Sequence, residues 1–198
     1  ALLAQAIAEH EQRADHTDFA PFLVVAPTSV VGNWTQEAAR FVPGAKVVTI
    51  TESTSKSGTS IAELVQGAHL VLTSYALFRL DEDGYIEFGN HVPENTEDDA
   101  PPRAGWGALI LDEAQFVKNT KTRAWKVARA LNAQVKLAIT GTPMENNLME
   151  LWALLAIVAD GLFPSARMFR DLYARPAESS EDPQVIEKLR RRVRPLML

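Results

Sequence analysis

Asp112 and Glu113 stand side by side at the end of the apolar run 108–111. That run has the length and branching of a buried strand, so the two carboxylates fall where the strand emerges. A fixed carboxylate at such a point can hold Mg²⁺, which takes hard oxygen ligands. A second one beside it can orient or deprotonate a water. Nucleotide hydrolysis needs both jobs done around a γ-phosphate. A plainer reading also fits: Asp112 caps a helix and Glu113 sits in its first turn, together worth about 1 kcal/mol. The pair alone favours the plainer reading, so the flanking elements must decide.

Five apolar runs read as strands, at 22–26, 46–50, 69–73, 108–111 and 135–139. Helical patterns fall between and after them. They cover 1–13, 30–41 with Thr28 or Ser29 as N-cap, 61–66 ending at Gly67, and a short segment to Leu80. Further on they cover 120–131 with Thr120 as cap, 147–158, 165–173 with Ser165 as cap, and 182–194. In the last, Asp182 is placed as N-cap and Pro183 at the first helical position. Strands that are apolar throughout and alternate with helices imply an α/β fold, a mainly parallel sheet sandwiched by helices. Right-handed crossovers bring the strand ends to one edge, where ligands of such sheets collect. That edge would gather Pro27, Thr28 and Ser29, then Ser74 and Tyr75, then Asp112 and Glu113, then Thr140, Gly141 and Thr142. A helix cap at Asp112 does not require the other three, so their convergence favours the catalytic reading.

Composition narrows the classes. The chain has 198 residues, of which 46% are hydrophobic and 23% charged, enough for one good core and a single domain. With no cysteine, a disulfide framework and a thiolate metal site are excluded. The formal net charge of -5 leaves no global basic footprint, so any nucleic-acid contact must be a local surface. No apolar run reaches the roughly 20 residues that span a bilayer. The chain starts without Met, inside an amphipathic helical pattern, as a piece of a longer protein would. Residues 81–105 are acidic and proline-containing, and read as an exposed, partly mobile insertion with a small hairpin around 85–88. The last helix collects Lys188, Arg190, Arg191, Arg192 and Arg194, which suit either its macrodipole or a phosphate contact.

Four stretches together resemble the Swi/Snf family of helicase-like ATPases in helicase superfamily two. Residues 24–37, with Pro27, Thr28, Ser29, Asn33, Trp34 and Glu37, look like motif Ia. Residues 71–75, ending Thr73, Ser74 and Tyr75, look like motif Ib. Residues 111–119 carry Asp112-Glu113-Ala114-Gln115 followed by Lys118-Asn119, like motif II. Residues 137–152 carry Thr140-Gly141-Thr142-Pro143, then Glu145-Asn146 and Glu150-Leu151-Trp152, like motif III. Residues 190–198 resemble the segment leading out of the first lobe, so that 165–198 would run toward a second one.

The resemblance implies a RecA-like (P-loop NTPase) helicase lobe, incomplete at its N-terminus. It implies ATP and Mg²⁺ as cofactors and the duplex DNA backbone and a second RecA-like lobe as partners. Asp112 matches the Mg²⁺-holding acid, and Glu113 the residue that activates the attacking water. Gln115 matches a nucleotide-site position, and Gln115, Thr140, Gly141 and Thr142 match positions that couple nucleotide state to lobe closure. Pro27, Thr28, Ser29, Asn33, Trp34, Thr73, Ser74 and Tyr75 match the DNA-facing side. Core packing competes for Trp34 and solvation for Asn33, while Trp125 and Trp152 read as core. The expected location is cytoplasmic, beside the nucleoid if bacterial, and neither secreted nor in a membrane.

The departures matter as well. These 198 residues hold no Gly-x-Gly-Lys-Thr loop, so the chain by itself is expected neither to bind nor to hydrolyse ATP. Two alternatives stay open. One is an RNA helicase lobe of the same superfamily, although Thr140-Gly141-Thr142 stands where that class usually has Ser-Ala-Thr. The other is a non-catalytic nucleic-acid or protein interaction module.

Overall fold

Strands buried on both faces call for mostly apolar sequences, and the five apolar runs form one sheet whose three inner strands meet that condition. The computed structural model describes residues 2–12, 19–90, 105–141, 147–179 and 184–197. The strands are β1 (Phe22–Ala26), β2 (Val47–Thr49), β3 (Leu70–Ser74), β4 (Trp106–Leu111) and β5 (Ala133–Ala138). Their order is β2-β3-β1-β4-β5, and every described pairing is parallel. β1 lies at the centre, with Val24 opposite Leu72 on one side and Ile110 on the other. β1, β3 and β4 are buried along their whole length, while the edge strands β2 and β5 are partly exposed.

Successive side chains point to opposite faces, and the core divides accordingly. Phe22, Val24, Ala26, Leu70, Leu72, Ala108 and Ile110 form one cluster. It is covered by α1 (Leu2–Glu11) through Leu3 and Ala6, and by α2 (Thr28–Phe41) through Val30, Val31, Trp34 and Ala38. Leu23, Val25, Val71, Leu109 and Leu111 face the other way, into a larger cluster. Beyond β2, the chain makes two single turns, α3 (Thr54–Ser57) and α4 (Ile61–Leu64), the second started by a full capping box between Ser60 and Glu63. The larger cluster is closed by α5 (Tyr75–Leu80), α6 (Glu82–Asn90), α7 (Arg123–Ala130) and α8 (Leu148–Val158). It extends into the C-terminal helices α9 (Ala166–Phe169), α10 (Arg175–Ser179) and α11 (Val185–Val193), with a π-helical turn at Arg170–Ala174.

α8 is apolar on almost every side and buried from Leu151 to Ile157, as a helix inside a core must be. The side chain of Asn147 accepts the Met149 amide at 2.7 Å to start it. No described helix is long and apolar enough to cross a membrane.

Three expectations are corrected. Residues 82–90 form α6 rather than a hairpin in an exposed insertion. Its Tyr85 is fully buried, donates its hydroxyl to Thr73 Oγ1 at 2.9 Å, and accepts the Trp106 indole N–H on its carbonyl at 2.9 Å. Burying one large aromatic outweighs the poor helix propensity of Gly84 and Gly89. α2 begins at Thr28 with Pro27 in the N-cap position and no side-chain cap, so neither Thr28 nor Ser29 caps it. α7 starts three residues later than expected, on Arg123, because Thr122 rather than Thr120 accepts the Trp125 amide at 3.3 Å. Residues 91–104 of the acidic stretch, and the Asp182-Pro183 helix start, lie outside the described residues.

Candidate active site

The Asp112-Glu113 turn hangs from the backbone of its neighbours. The Asp112 amide donates to Val25 O at the end of β1, at 2.9 Å. On the other side, the Ile139 amide donates to Leu111 O and the Ala114 amide to Ile139 O, both at 2.8 Å. The turn is thereby pinned between the ends of β1 and β5. It is also left-handed. Glu113 has φ 49° and ψ 54°, and it is the only described residue other than glycine with positive φ. That conformation costs an L-residue about 1–2 kcal/mol, and such strain gathers at functional sites. The element that follows is only a 3-10 turn, Ala114–Val117, started by Glu113 with no side-chain cap. Asp112 is therefore not a helix cap, and the plainer reading of the pair fails.

The two carboxylates have different surroundings. Asp112 is half-buried, and its Oδ1 accepts the Glu113 amide at 2.9 Å. Its Oδ2 accepts the Trp34 indole N–H at 2.8 Å, across 78 residues of sequence. Its carbonyl accepts the Tyr75 hydroxyl at 2.8 Å. Glu113 is exposed, and its Oε2 accepts the Gln115 side-chain amide at 2.8 Å. Gln115 Oε1 in turn accepts the Thr140 hydroxyl at 3.4 Å. One carboxylate is gripped, and the other is open to solvent with a single side-chain tether among the described residues.

Tyr75 links the neighbouring strand end to this turn. It is buried, and its ring stacks on Phe116 at 5.2 Å with 14° between planes. Burial, then the negative charges of Asp112 and Glu113, push its phenol well above the ordinary tyrosine value. It therefore stays protonated and keeps the hydrogen that it donates to Asp112 O.

The sheet edge brings Asp112, Glu113, Gln115 and Thr140 together, with Gly141 next in the chain; Thr142 lies outside the described residues. The residues expected to face DNA divide. Thr28, Ser29 and Asn33 are exposed on the first two turns of α2, beside half-buried Pro27. Thr73 and Ser74 are buried rather than exposed beside them. Thr73 is fully enclosed, with its hydroxyl taken by Tyr85, and Ser74 accepts the Leu77 amide at 3.3 Å as the cap of α5. The polar ends of Trp34 and Tyr75 also point inward, onto Asp112. A strand-end sequence does not reveal which way its last residues face, and here the inward set wins.

Sequence reasoning missed the partnership of Trp34 with Asp112, since no spacing rule connects positions 78 apart. It also missed an ion pair at 3.0 Å between Lys118, after the 3-10 turn, and Glu150 in the first turn of α8. Both residues stand in quoted motifs, but only the fold brings them together.

A parallel α/β lobe with an Asp-Glu pair at the C-terminal end of an inner strand is of the fold class that gathers its ligands at that edge. Within it, the chain belongs to the SNF2-related domain family, whose profile matches residues 1–198. It is 32% identical over 209 residues to the chromatin-remodeling ATPase INO80 of Cryptococcus neoformans, covering 97% of this chain and 11% of that protein. It is 28% identical to the TATA-binding protein-associated factor BTAF1 of Arabidopsis thaliana, covering 95% of this chain and 8% of that one. Among solved structures, the Sulfolobus solfataricus SWI2/SNF2 ATPase core in complex with dsDNA superposes with a TM-score of 0.75. That match has 26% identity and covers 100% of this chain and 36% of the other. The fold is therefore that of a RecA-like SWI2/SNF2 ATPase core, and the chain spans about a third or less of the relatives named.

Proposed function

We propose that this chain is the motor lobe of an ATP-dependent, helicase-like translocase on double-stranded DNA, working with a second RecA-like lobe of the same protein. The observation that carries this reading is the unequal treatment of the two carboxylates. Asp112 is held still by bonds to both oxygens, as a metal-holding acid should be. Glu113 faces solvent on a strained turn, as a residue that meets a water should.

The donor set fits Mg²⁺. Among the described residues no three His, Cys, Asp or Glu side chains gather into a cage. Mg²⁺ does not need one, since it is commonly held by one or two carboxylates with waters and substrate phosphates. Each oxygen of Asp112 keeps a lone pair beyond the bond it already accepts. Mg²⁺ bound there would neutralise charge developing on the phosphates. Glu113 would orient the attacking water and take its proton. Gln115 and Thr140, in series with Glu113, would sense whether that position is engaged.

On the DNA side, the exposed start of α2 offers the hydroxyls of Thr28 and Ser29, the Asn33 amide and uncapped backbone N–H groups. Helix N-termini hold phosphate oxygens through such groups, and these contacts set grip and register without reading sequence. A lobe of net charge -5 relies on such local contacts.

The test is ATP turnover by the full-length protein with and without linear duplex DNA. The expected result is clear stimulation by duplex DNA of any sequence. DNA affinity should fall with salt by about 0.9 logarithmic units per logarithmic unit for each phosphate contact. Equal rates with and without DNA, or stimulation by RNA alone, would overturn the reading.

A further inference from the structure

The chain has four tryptophans, and three of them behave alike. The indole N–H groups of Trp106, Trp125 and Trp152 donate to the backbone carbonyls of Tyr85, Ala153 and Phe163, at 2.8 to 2.9 Å. These are core pegs, buried rings whose one polar atom finds a backbone partner. Trp34 differs. It is half-buried, and its N–H goes to a carboxylate that the mechanism uses, Asp112 Oδ2.

Asp112 is held on all sides. Its amide, its carbonyl and Oδ1 have the partners described above, and two of these three bonds are to backbone atoms. Trp34 is the one side chain that donates to the carboxylate among the described residues. A hydrogen bond to a charged acceptor is about twice as strong as one between neutral groups. It fixes which lone pair of Oδ2 remains for a metal. Trp34 is also part of a rigid element. It sits six residues after Thr28 on α2, about 9 Å along the axis at 1.5 Å per residue. With Val30 and Val31 of the same helix it packs against the sheet's apolar cluster. Any force that seats the exposed start of α2 therefore acts on the indole and, through it, on Asp112.

We propose that Trp34 is a positioning residue for the metal-holding Asp112, and that its indole N–H couples the DNA-facing helix α2 to the nucleotide site. The proposal rests on the functional reading above. It assigns Trp34 an inward role in place of a contact to DNA.

The experiment uses the full-length protein and two substitutions that remove the N–H. Trp34→Phe keeps a ring, and Trp34→Leu keeps only apolar bulk. Equilibrium binding of a fluorescent ATP analogue is measured across a Mg²⁺ titration and again in EDTA. The Mg²⁺ concentration for half-maximal binding should rise roughly 10-fold or more, the scale for losing a bond that orients a metal ligand. Affinity in EDTA should stay at the wild-type value, as should affinity for duplex DNA without nucleotide. Stimulation of turnover by DNA should fall in parallel with the Mg²⁺ effect.

A wild-type Mg²⁺ profile in whichever variant folds would overturn the proposal and leave Trp34 a packing residue. Weakened DNA binding with an unchanged Mg²⁺ profile would overturn it in favour of a direct contact. Asp112→Asn separates this from the parent reading. If that variant also keeps the wild-type Mg²⁺ profile, the metal-holding role of Asp112 fails. If it loses the profile and the Trp34 variants do not, only the coupling fails.

Discussion

The side-chain amide of Gln115 donates to the Glu113 carboxylate across 2.8 Å, on a turn where Glu113 itself is left-handed. The bond leaves the second carboxylate oxygen of Glu113 open to solvent. A water held there would meet a base whose direction is fixed by backbone strain and one tether. In the full-length protein, Glu113→Gln should lower DNA-stimulated turnover by at least about 10²-fold, the scale for a lost general base. Nucleotide affinity should be retained, because Asp112 keeps its bonds, including the one from the Glu113 backbone amide. Gln115→Ala should lower turnover by less, since it loosens the base without removing it. Near-normal turnover by Glu113→Gln would remove Glu113 from the role.

The same turn makes a prediction about stability. A left-handed glutamate is strained by about 1–2 kcal/mol, and glycine is not. Glycine also gives back part of that gain through a freer unfolded chain. Glu113→Gly should therefore raise unfolding free energy by about 0.5–1 kcal/mol, while turnover is lost. Glu113→Gln keeps the strain and should leave the urea midpoint near wild type. A destabilised Glu113→Gly variant would show that the conformation is relaxed. The two substitutions thus separate the cost of the turn from its chemistry.

The strands were readable because burial on both faces leaves little room for polar residues in β1, β3 and β4. The strand ends were readable as turn chemistry, and their gathering at one edge follows from a parallel sheet. What did not follow was direction. Thr73, Ser74, Trp34 and Tyr75 stand beside the exposed residues of the same motifs, yet they face the interior. Nothing local distinguishes them, because their partners Tyr85 and Asp112 come from elsewhere in the chain. α6 was hidden for a related reason. Its acidic, glycine-containing sequence reads as loop, and the contacts that hold it as a helix, among them Trp106, Phe78 and Asn132, come from elsewhere in the chain.

That contact can be measured. A Cβ on Gly89 would lie 2.7 Å from the carbonyl oxygen of Asn132 and 3.0 Å from Trp106 Cδ1. Neither atom is the free end of a flexible side chain. Gly89→Ala should destabilise the protein by about 1–3 kcal/mol, as overpacking does. Gly32→Ala in α2 is the control, because nothing lies within 4 Å of its added Cβ. There alanine should stabilise by up to about 1 kcal/mol through helix propensity. Equal effects of the two in chemical denaturation would argue that α6 does not pack on β4 as described.

Lys136 offers a pH-dependent test of the β5 edge. Its Nζ donates to the carbonyls of Ala128 at 3.0 Å and Arg129 at 2.9 Å, near the C-terminal end of α7. Burial pushes its ammonium down to about 8; Asp160 opposes the shift and Arg129 adds to it. In the unfolded chain the group titrates near 10.4. Below about pH 8 both states carry the charge, and the folded state bears the full penalty of burying it. Between the two values the unfolded chain binds a proton that the folded chain has released, so stability rises with pH. Lys136→Met removes the titration. The urea midpoint of wild type minus that of Lys136→Met should therefore climb from pH 8 toward pH 10. Titrations common to both proteins cancel in the difference. A difference that stays level over this range would mean that the amine is solvated, and the cap it places on α7 would then be looser than its two short bonds indicate.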